Sequence, residues 1–202
     1  MEASTEQPIR IANCSGFFGD RLSAAREMVH GGPIDALTGD WLAELTMLIL
    51  SRIQAKAPGG GYARTFVTQM EDVMGECLDR KIKVVTNAGG LNPEGCADAV
   101  QEVADRLGLN PSIAYVAGDD LTPRLVQLME AGNDFPHLDT GQPLGDLAQR
   151  IVTANAYIGC WGIVEALNQG ADIVVTGRAT DAAVVAGPAA WHHGWQRDDW
   201  DA

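Results

Sequence analysis

The chain has 202 residues, of which 46% are apolar and 20% are charged, a balance that is typical of a globular protein and excludes intrinsic disorder. Its net charge of -13 repels nucleic acid and anionic membrane, so neither is an expected partner. An anionic ligand must therefore be held by local features, namely arginines and helix N-termini.

The N-terminal residues and the cysteines indicate where the protein resides. The first eight residues are polar and acidic, which argues against a secretory signal, and residues 1–8 are expected to form a flexible N-terminus before a single α/β domain, 9–202. The most apolar segment, 41–50, is too short for a membrane span. The four cysteines lie far apart without a C-x-x-C, as is typical of reduced thiols in a cytoplasmic protein.

Hydrophobic periodicity alternates between strand and helix along the chain. Short runs of β-branched and apolar residues predict strands at 9–14, 34–37, 84–86, 112–117 and 172–175. Asp20 and Asp40 are the expected N-caps of the first two helices. The later helices are expected over 66–80, over 93–107, from Thr122, over 157–168 and from Asp181. Residues 133–149 have no clean period, and a connection of that length is typical of a lid or a binding loop.

This alternation predicts an α/β fold with a mainly parallel sheet of about five strands flanked by helices, Rossmann-like or doubly wound. The same βα units also fit part of a barrel, and periodicity alone leaves that alternative open. Each strand ends in small or polar residues. Because the carboxyl ends of parallel strands share one edge of a sheet, we expect a single ligand-binding edge.

The stretch 83–95 combines a strand, a glycine turn and a helix start. Asn87 is expected to end the strand, Gly89 and Gly90 to form a tight turn, and Asn92 with Pro93 to cap and begin a helix. Such a junction places backbone N–H groups where small polar or anionic ligands bind, so Asn87, Gly89 and Gly90 are candidate substrate contacts. The alternative is that the glycines only make the turn.

Charged residues follow the last two strands. Arg178 offers a planar fork for a carboxylate or phosphate, and Asp181 is a candidate catalytic residue that orients Arg178, caps the helix or takes a proton. Asp119, beside Asp120, is the second catalytic candidate, as a base or as a Mg²⁺ ligand. The alternatives are a structural Arg–Asp pair and a helix cap.

Further residues at the strand ends are candidate substrate contacts, namely Asn13, Ser15, Gly16, Asn155 and Gly177. Asparagine amides can hydrogen-bond a carbonyl or hydroxyl, and glycines let a ligand approach the backbone, although turn stabilisation explains them equally well. No zinc site is expected, because the adjacent His192 and His193 point in different directions and, with His137 and Asp139, lack a spaced third ligand.

Motifs of the common cofactor and hydrolase families are missing, so no cofactor is assigned. The N-A-G-G turn resembles that of short-chain dehydrogenases, but neither Tyr115 nor Tyr157 has a lysine four residues later. The S-G-F-F-G-D turn lacks the full dinucleotide fingerprint, and there is no P-loop and no G-x-S-x-G. Cys14 has no histidine placed to activate it as a nucleophile.

Seven blocks stand in order along the chain: I-A-N-C-S-G-F-F-G-D-R-L-S-A-A-R-E-M, D-A-L-T-G-D-W-L-A-E-L-T-M, G-G-G-Y-A-R-T-F, V-V-T-N-A-G-G-L-N-P, T-A-N-A-Y-I-G-C-W-G-I, V-V-T-G-R-A-T-D and G-P-A-A-W-H-H-G-W. Together they resemble the acyclic terpene utilisation AtuA family, over nearly the whole chain after about Pro8. The resemblance implies a bacterial, cytoplasmic protein of citronellol- or geraniol-type catabolism, a route through CoA thioesters. It also implies that a lyase or hydratase-type step on a branched acyl-CoA is one candidate reaction.

Two hypotheses follow. In the first, an AtuA-like protein binds or transforms a carboxylate or CoA thioester, with Arg178 holding the anion and Asp181 or Asp119 handling a proton. In the second, the chain is a non-catalytic binding or assembly module that needs a partner, or a second copy, to complete its sheet. Members of that family are usually much longer, so the resemblance implies a truncated domain whose sheet lacks later strands.

Overall fold

The structure, a computed structural model that describes residues 7–199, is built on one sheet of five parallel strands flanked by helices. The strands are β1 (Ile11–Asn13), β2 (Ala36–Gly39), β3 (Lys83–Gly90), β4 (Ile113–Val116) and β5 (Ile173–Gly177), in the spatial order β1-β2-β3-β5-β4. The α/β prediction is confirmed, and the sheet is open rather than closed into a barrel. Most of the expected flexible segment 1–8 lies outside the described residues, as do residues 200–202.

Helices cover both faces of the sheet. In the described chain they are α1 (Ala24–His30), α2 (Glu44–Lys56), α3 (Arg64–Asp79), α4 (Pro93–Leu107), α5 (Leu125–Glu130), α6 (Trp161–Asn168) and α7 (Ala183–His193). The chain passes from β3 to the far edge of the sheet at β4 and then returns to β5. Because crossovers between parallel strands are right-handed, this reversal of direction moves the next helix to the other face of the sheet. Accordingly, α1 and α4 both pack against α3, whereas α6 packs against α7.

Two apolar clusters fill the space between the sheet and these helices. The larger cluster includes Trp41, Phe66 and Met70, and the smaller one includes Ile163 and Leu167. Successive side chains of a strand point to opposite faces, which is why Val84 belongs to the larger cluster and Val85 to the smaller one. None of the helices within residues 7–199 is both long and apolar enough to cross a membrane.

The predicted boundaries of α4 are confirmed. The Asn92 side chain accepts a hydrogen bond from Gly95 N (3.0 Å), and Pro93 is the first helical residue, where its missing N–H costs nothing. Gly108 ends the helix in the left-handed conformation, with φ of 68°.

The prediction that Asn87 ends the third strand is wrong, because β3 continues through Asn87 to Gly90 with an irregular register between Thr86 and Gly90. The two glycines stand in the strand because neighbouring groups leave no room for side chains. A methyl group on Gly89 would lie 2.7 Å from Pro93 Cα, and one on Gly90 would lie 2.6 Å from Gly61 O. Close approach of other segments therefore requires glycine at both positions, and the predicted turn is also present, since Asn92 N donates to Gly89 O (2.8 Å) and Gly90 has a positive φ of 54°.

The two predicted aspartate caps are also wrong. α1 begins at Ala24, and the Asp20 carboxyl instead accepts hydrogen bonds from Gly16 N (3.1 Å) and Arg21 N (2.8 Å) in the turn after β1. α2 begins at Glu44, beyond the reach of a cap at Asp40. Both acids stabilise the turns that follow the strands. The sequence pattern of such a turn is the same as that of a helix N-cap, so sequence alone does not distinguish the two roles.

The sixth helix begins later than predicted, at Trp161. The preceding residues are held in an irregular path by the sheet, since Ile158 forms an isolated parallel bridge with Ala179 beyond the end of β5. Residues 133–149, predicted as a lid or binding loop, contain only the start of a short 3-10 segment, Gly145–Arg150. Their role as a lid stays a prediction.

Candidate functional site

The carboxyl ends of the five parallel strands lie on one side of the sheet, which we call the carboxyl edge. The strand order places β5 beside β3 and separates it from β1 by three strand spacings, or roughly 14 Å. The candidate residues therefore divide into a group after β1 and a group around β3 and β5.

The group after β1 bonds to its own turn and to the end of β2, where Thr38 Oγ1 donates to Asn13 Oδ1 (3.2 Å) and Asp40 N donates to Ser15 O (3.0 Å). Asn13 Nδ2 donates to Ser15 O (2.8 Å), and Ser15 Oγ donates to Phe17 O (3.1 Å). Gly16 N donates to the Asp20 carboxyl, and no atom outside its own turn lies within 4 Å of the place where a side chain on Gly16 would begin. The structure does not bring these three residues to Arg178, and their contact with a ligand stays a prediction.

Asn87 holds the segment between β2 and α2. Its side chain is fully buried, Oδ1 accepts from Trp41 N (2.7 Å), and Nδ2 donates to Asp40 Oδ1 (2.6 Å). The Trp41 N–H requires an acceptor, so the amide oxygen of Asn87 faces Trp41 and the amide nitrogen of Asn87 faces Asp40.

The N-terminus of α4, an expected anion site, is occupied by the chain itself. Asn92 accepts from Gly95 N and donates through Nδ2 to Gly60 O (3.1 Å). Segment 58–61 is thereby tied over the start of the helix. An anion at this position would have to displace those bonds, so the structure directs attention to Arg178 instead.

Asp119 joins the ends of β4 and β5. It is buried, and its Oδ2 accepts from Arg178 N (2.8 Å) and from Asn155 Nδ2 (2.9 Å). Gly177 leaves room for this carboxyl, since a methyl group on Gly177 would lie 2.7 Å from Asp119 Cγ. The structure thus brings Asp119, Asn155 and Gly177 together as a support for the backbone of Arg178.

The Arg178 side chain lies on the carboxyl edge and is only 4% exposed. Nη1 donates to Leu42 O (2.6 Å), while Nη2 lies 3.2 Å from Asp181 Oδ1 and 3.8 Å from Glu44 Oε1. The ring of Tyr157 covers the guanidinium, with Cζ 4.0 Å from the ring centroid. Nε is buried and has no hydrogen-bond partner within residues 7–199. We call Arg178, Tyr157, Glu44 and Asp181 the Arg178 cluster.

The acids of the Arg178 cluster lie at the surface. The side chains of Asp181 and Glu44 are 69% and 80% exposed, respectively. The Tyr157 hydroxyl donates to Glu44, which lowers the pKa of that carboxyl and keeps it ionised. The guanidinium of Arg178 is therefore covered by exposed side chains on one side and bonded to buried backbone on the other.

Asp40 is the carboxyl that lies beside this cluster at the end of β2. Oδ1 accepts from Asn87 Nδ2 (2.6 Å) and Leu42 N (3.4 Å). Burial raises the pKa of Asp40, whereas the hydrogen bonds from Asn87 and Leu42 lower it. The negative charge of Asp181 raises this pKa further, and the positive charge of Arg178 lowers it. The net result is a pKa above the ordinary value of an aspartate.

A groove of about 610 Å³ opens at the carboxyl edge, between the second half of α2 and the residues that follow β3 and β4. It is lined by Ser51, Gln54, Ala55, Pro58, Leu91, Asp120, Thr122, Pro123, Val152 and Thr153. Ser51 follows Glu44 by two turns of α2, so the groove begins roughly 10 Å from the Arg178 cluster. Its volume and mixed lining suit a small, mostly apolar molecule.

The Cys14 thiol is not activated as a nucleophile in the folded chain. Burial raises the pKa of the Cys14 thiol to about 12, so the thiol stays protonated at neutral pH. Among residues 7–199, no group of three or more histidine, cysteine or acidic side chains is arranged to hold a metal ion.

Sequence reasoning missed the residues that surround the guanidinium of Arg178. Glu44 and Tyr157 lie far from Arg178 along the chain, and Leu42 contributes only a carbonyl oxygen, so no spacing rule links them. The sequence does indicate the position of Asp40, since T-G-D ends the second strand, but it predicts a helix cap there.

Fold and site together define an α/β protein whose carboxyl edge carries a buried arginine among several carboxylates. A family model described as acyclic terpene utilisation family protein AtuA matches residues 9–202. The chain therefore belongs to this family, as the resemblance of its sequence blocks predicts, and is linked to acyclic terpene utilisation. Searches of curated proteins and of solved structures returned no match.

Proposed function

We propose that the protein binds a carboxylate or CoA thioester formed during acyclic terpenoid breakdown, with the carboxylate, or the carbonyl oxygen of the thioester, on Arg178 and the hydrocarbon chain in the groove beside α2. The observation that carries this proposal is that the guanidinium of Arg178 uses only part of its hydrogen-bonding capacity. Nη1 is committed to Leu42 O, whereas Nε has no partner within residues 7–199 and Nη2 meets only exposed acids. A carboxylate fits the Nε–Nη2 side of a guanidinium with two parallel hydrogen bonds.

A ligand carboxylate can replace the acids that now face Arg178. Ion pairs with exposed partners contribute only about 0–1 kcal/mol, because each carboxylate is well solvated when released. Asp181 and Glu44 meet that description, whereas the buried Leu42 contact keeps the guanidinium in place when they move. Tyr157 is half exposed and can turn aside with Glu44.

The groove supplies the apolar surface that a terpenoid chain requires. Leu91, Pro123, Val152 and Ala55 line it, and it lies on the same edge as Arg178. A lyase or hydratase-type step on a branched acyl-CoA fits a site with an anion holder and nearby carboxylates. The assignment of Asp119 and Asp181 as catalytic residues stays a prediction.

Calorimetric titration with citronellate and with citronelloyl-CoA tests the proposal. Arg178→Lys keeps a positive charge that can reach Leu42 O but removes the fork, and we expect it to weaken binding about 10- to 100-fold, as loss of charge-assisted hydrogen bonds does. Arg64→Lys, on the exposed start of α3, is the matched control and should bind like the wild type. Equal affinity of the wild type and a folded Arg178→Lys variant would contradict the proposal.

Lysine is preferable to alanine at this position because Leu42 O is buried with its residue. Arg178→Ala would leave that oxygen unpaired, at a cost of about 1–3 kcal/mol in stability. A loss of binding by the alanine variant would then mix a binding effect with a folding effect.

The alternative, a module that needs a partner to complete its sheet, depends on the open edges of the sheet. β1 and β4 are the edge strands, and they are only 3 and 4 residues long. Short edge strands are a common means by which proteins prevent pairing with other chains, which favours the ligand-binding proposal. Light scattering distinguishes the two, since the module requires an oligomer that is indifferent to citronelloyl-CoA.

A further inference from the structure

We infer that Asp40 is the residue that exchanges a proton with a carbon atom of a ligand held by Arg178. This inference rests on the proposed function and adds a catalytic residue to it. It starts from the placement of Asp40, which lies at the carboxyl end of β2 and is half buried between the Asn87 amide and the backbone of Leu42.

One oxygen of Asp40 is fixed and the other is free. Oδ1 accepts from Asn87 Nδ2 (2.6 Å) and from Leu42 N (3.4 Å), and the amide of Asn87 is itself fixed by the N–H of Trp41 (2.7 Å). Oδ2 has no hydrogen-bond partner among residues 7–199. A carboxyl that is held rigidly through one oxygen presents the other in a defined direction, as a general base requires.

Asp40 and Arg178 both hydrogen-bond to the backbone of the same residue, Leu42. Leu42 N donates to Asp40 Oδ1 (3.4 Å), and Leu42 O accepts from Arg178 Nη1 (2.6 Å). Since one residue spans at most about 3.6 Å, the two side-chain atoms lie no more than roughly 10 Å apart. One ligand can therefore reach both side chains, with its thioester carbonyl oxygen accepting from Arg178 and the neighbouring carbon, two bonds from that oxygen, facing Asp40.

Of the carboxyls near the guanidinium, Asp40 is best suited to proton transfer. Asp119 Oδ2 is used by Arg178 N and Asn155, and Asp181 is exposed and paired with the arginine itself. Partial burial raises the pKa of Asp40, although its hydrogen bonds lower it in part. The negative charge of Asp181 also raises this pKa, and the positive charge of Arg178 lowers it. A carboxylate with a raised pKa is a stronger base at neutral pH.

The step is a proton transfer with no change of oxidation state. Oδ2 of Asp40 takes a proton from the carbon next to the thioester carbonyl, and the electron pair of the C–H bond stays on the ligand as an enolate. The resulting carboxylic acid of Asp40 returns a proton to the ligand. In deuterated water the acid exchanges its proton before the return, so that deuterium replaces hydrogen on the ligand.

Deuterium incorporation into citronelloyl-CoA, followed by mass spectrometry, tests this role. We expect wild-type protein to catalyse the exchange, and Asp40→Asn to slow it at least about 100-fold while the dissociation constant changes little. Asp98→Asn, an exposed acid-to-amide change on α4, is the control and should exchange like the wild type. Exchange by Asp40→Asn at the wild-type rate, or binding by wild type without exchange, overturns the role of Asp40.

The outcome of the binding measurement separates this inference from the proposed function. Wild-type protein that fails to bind citronelloyl-CoA overturns the proposed function and the role of Asp40 with it. A carboxyl-carbon NMR titration of the ligand-free protein gives a readout besides exchange. The pKa of the Asp40 carboxyl should lie above that of an aspartate in an unfolded peptide, and Asp181→Asn should lower it by removing a nearby negative charge. A pKa of Asp40 at or below the unfolded value contradicts the inference.

Discussion

At Asp40 the protein keeps a carboxylate in a place where burial opposes ionisation. Asn87 and Leu42 recover part of the lost hydration through hydrogen bonds, but the pKa remains above its usual value. Natural proteins accept such costs where a group has a chemical role. The inferred role of Asp40 therefore has a consequence for stability that does not depend on any ligand.

Asp40→Asn should stabilise the protein at neutral pH by less than about 1 kcal/mol, a small value because the group is only half buried and screened by water. The folded-state pKa of Asp40 lies above that of the unfolded chain, so its contribution to stability is complete below the unfolded pKa and is lost as pH rises through the folded pKa. The advantage of the asparagine variant should then shrink as the pH falls toward about 4 and disappear below the unfolded pKa of about 3.9.

Urea unfolding at pH 7 and at pH 4 measures this difference. Only the difference in unfolding free energy between variant and wild type is compared, because protonation of other acidic residues also lowers the stability of both proteins. Asp98→Asn should change stability by no more than about 0.5 kcal/mol at either pH, as expected for an exposed position. An Asp40→Asn variant that is less stable than wild type at pH 7, yet equal at pH 4, would show that the ionised carboxylate stabilises the fold.

At the scale of elements, the end of β5 depends on the absence of a side chain at Gly177. The Asp119 carboxyl packs against this residue and accepts the N–H of Arg178, so it fixes where the guanidinium begins. Gly16, after β1, occupies a comparable place in the sequence pattern but has free space around it. The two glycines therefore form a matched pair.

Gly177→Ala should destabilise the protein by about 1–3 kcal/mol, because the added methyl group overlaps the buried carboxyl of Asp119 and forces it or the strand to move. Gly16→Ala should stay within about 0.5 kcal/mol of wild type, since nothing lies within 4 Å of the new group outside its own turn. Thermal and urea denaturation of both variants checks the contrast. Equal stability of the two variants would mean that Asp119 is not held as tightly as its contacts suggest.

The elements show where local sequence rules stop being sufficient. Periodicity located all five strands, and the Asn92 cap and the Gly108 C-cap follow from local chemistry alone. The continuation of β3 through Asn87, Gly89 and Gly90 does not follow from local chemistry, because asparagine and glycine are disfavoured in strands. The segments around Gly61 and Pro93 impose it, and these contacts are not visible in a local window.

At the scale of the molecule, the sequence indicated a shared edge but not which strand ends meet on it. Alternating strands and helices predict parallel strands, and parallel strands predict a common edge. The order β1-β2-β3-β5-β4 decides that Arg178 lies beside β3 and far from Asn13, and this order depends on packing that periodicity does not encode. The same is true of Tyr157 and Glu44, which only the folded chain brings to Arg178.

The overall charge of the protein also bears on how an anionic ligand reaches Arg178. A net charge of -13 repels a CoA thioester at long range, whereas the buried guanidinium attracts it only at close range. Salt screens charges that lie farther apart than about 10 Å at 0.1 M, and it screens buried pairs much less. Added salt should therefore weaken the repulsion more than the attraction.

We accordingly expect the association rate constant for citronelloyl-CoA to increase when NaCl is raised from about 20 to about 200 mM, the reverse of what a basic binding surface shows. Stopped-flow binding measures this rate, and the uncharged pantetheine thioester of citronellic acid is the control, whose rate should be independent of salt. A rate that falls with salt would instead indicate a basic path to the site. Because only the charged ligand feels the field of the whole molecule, the contrast between the two thioesters separates long-range repulsion from contacts made at Arg178.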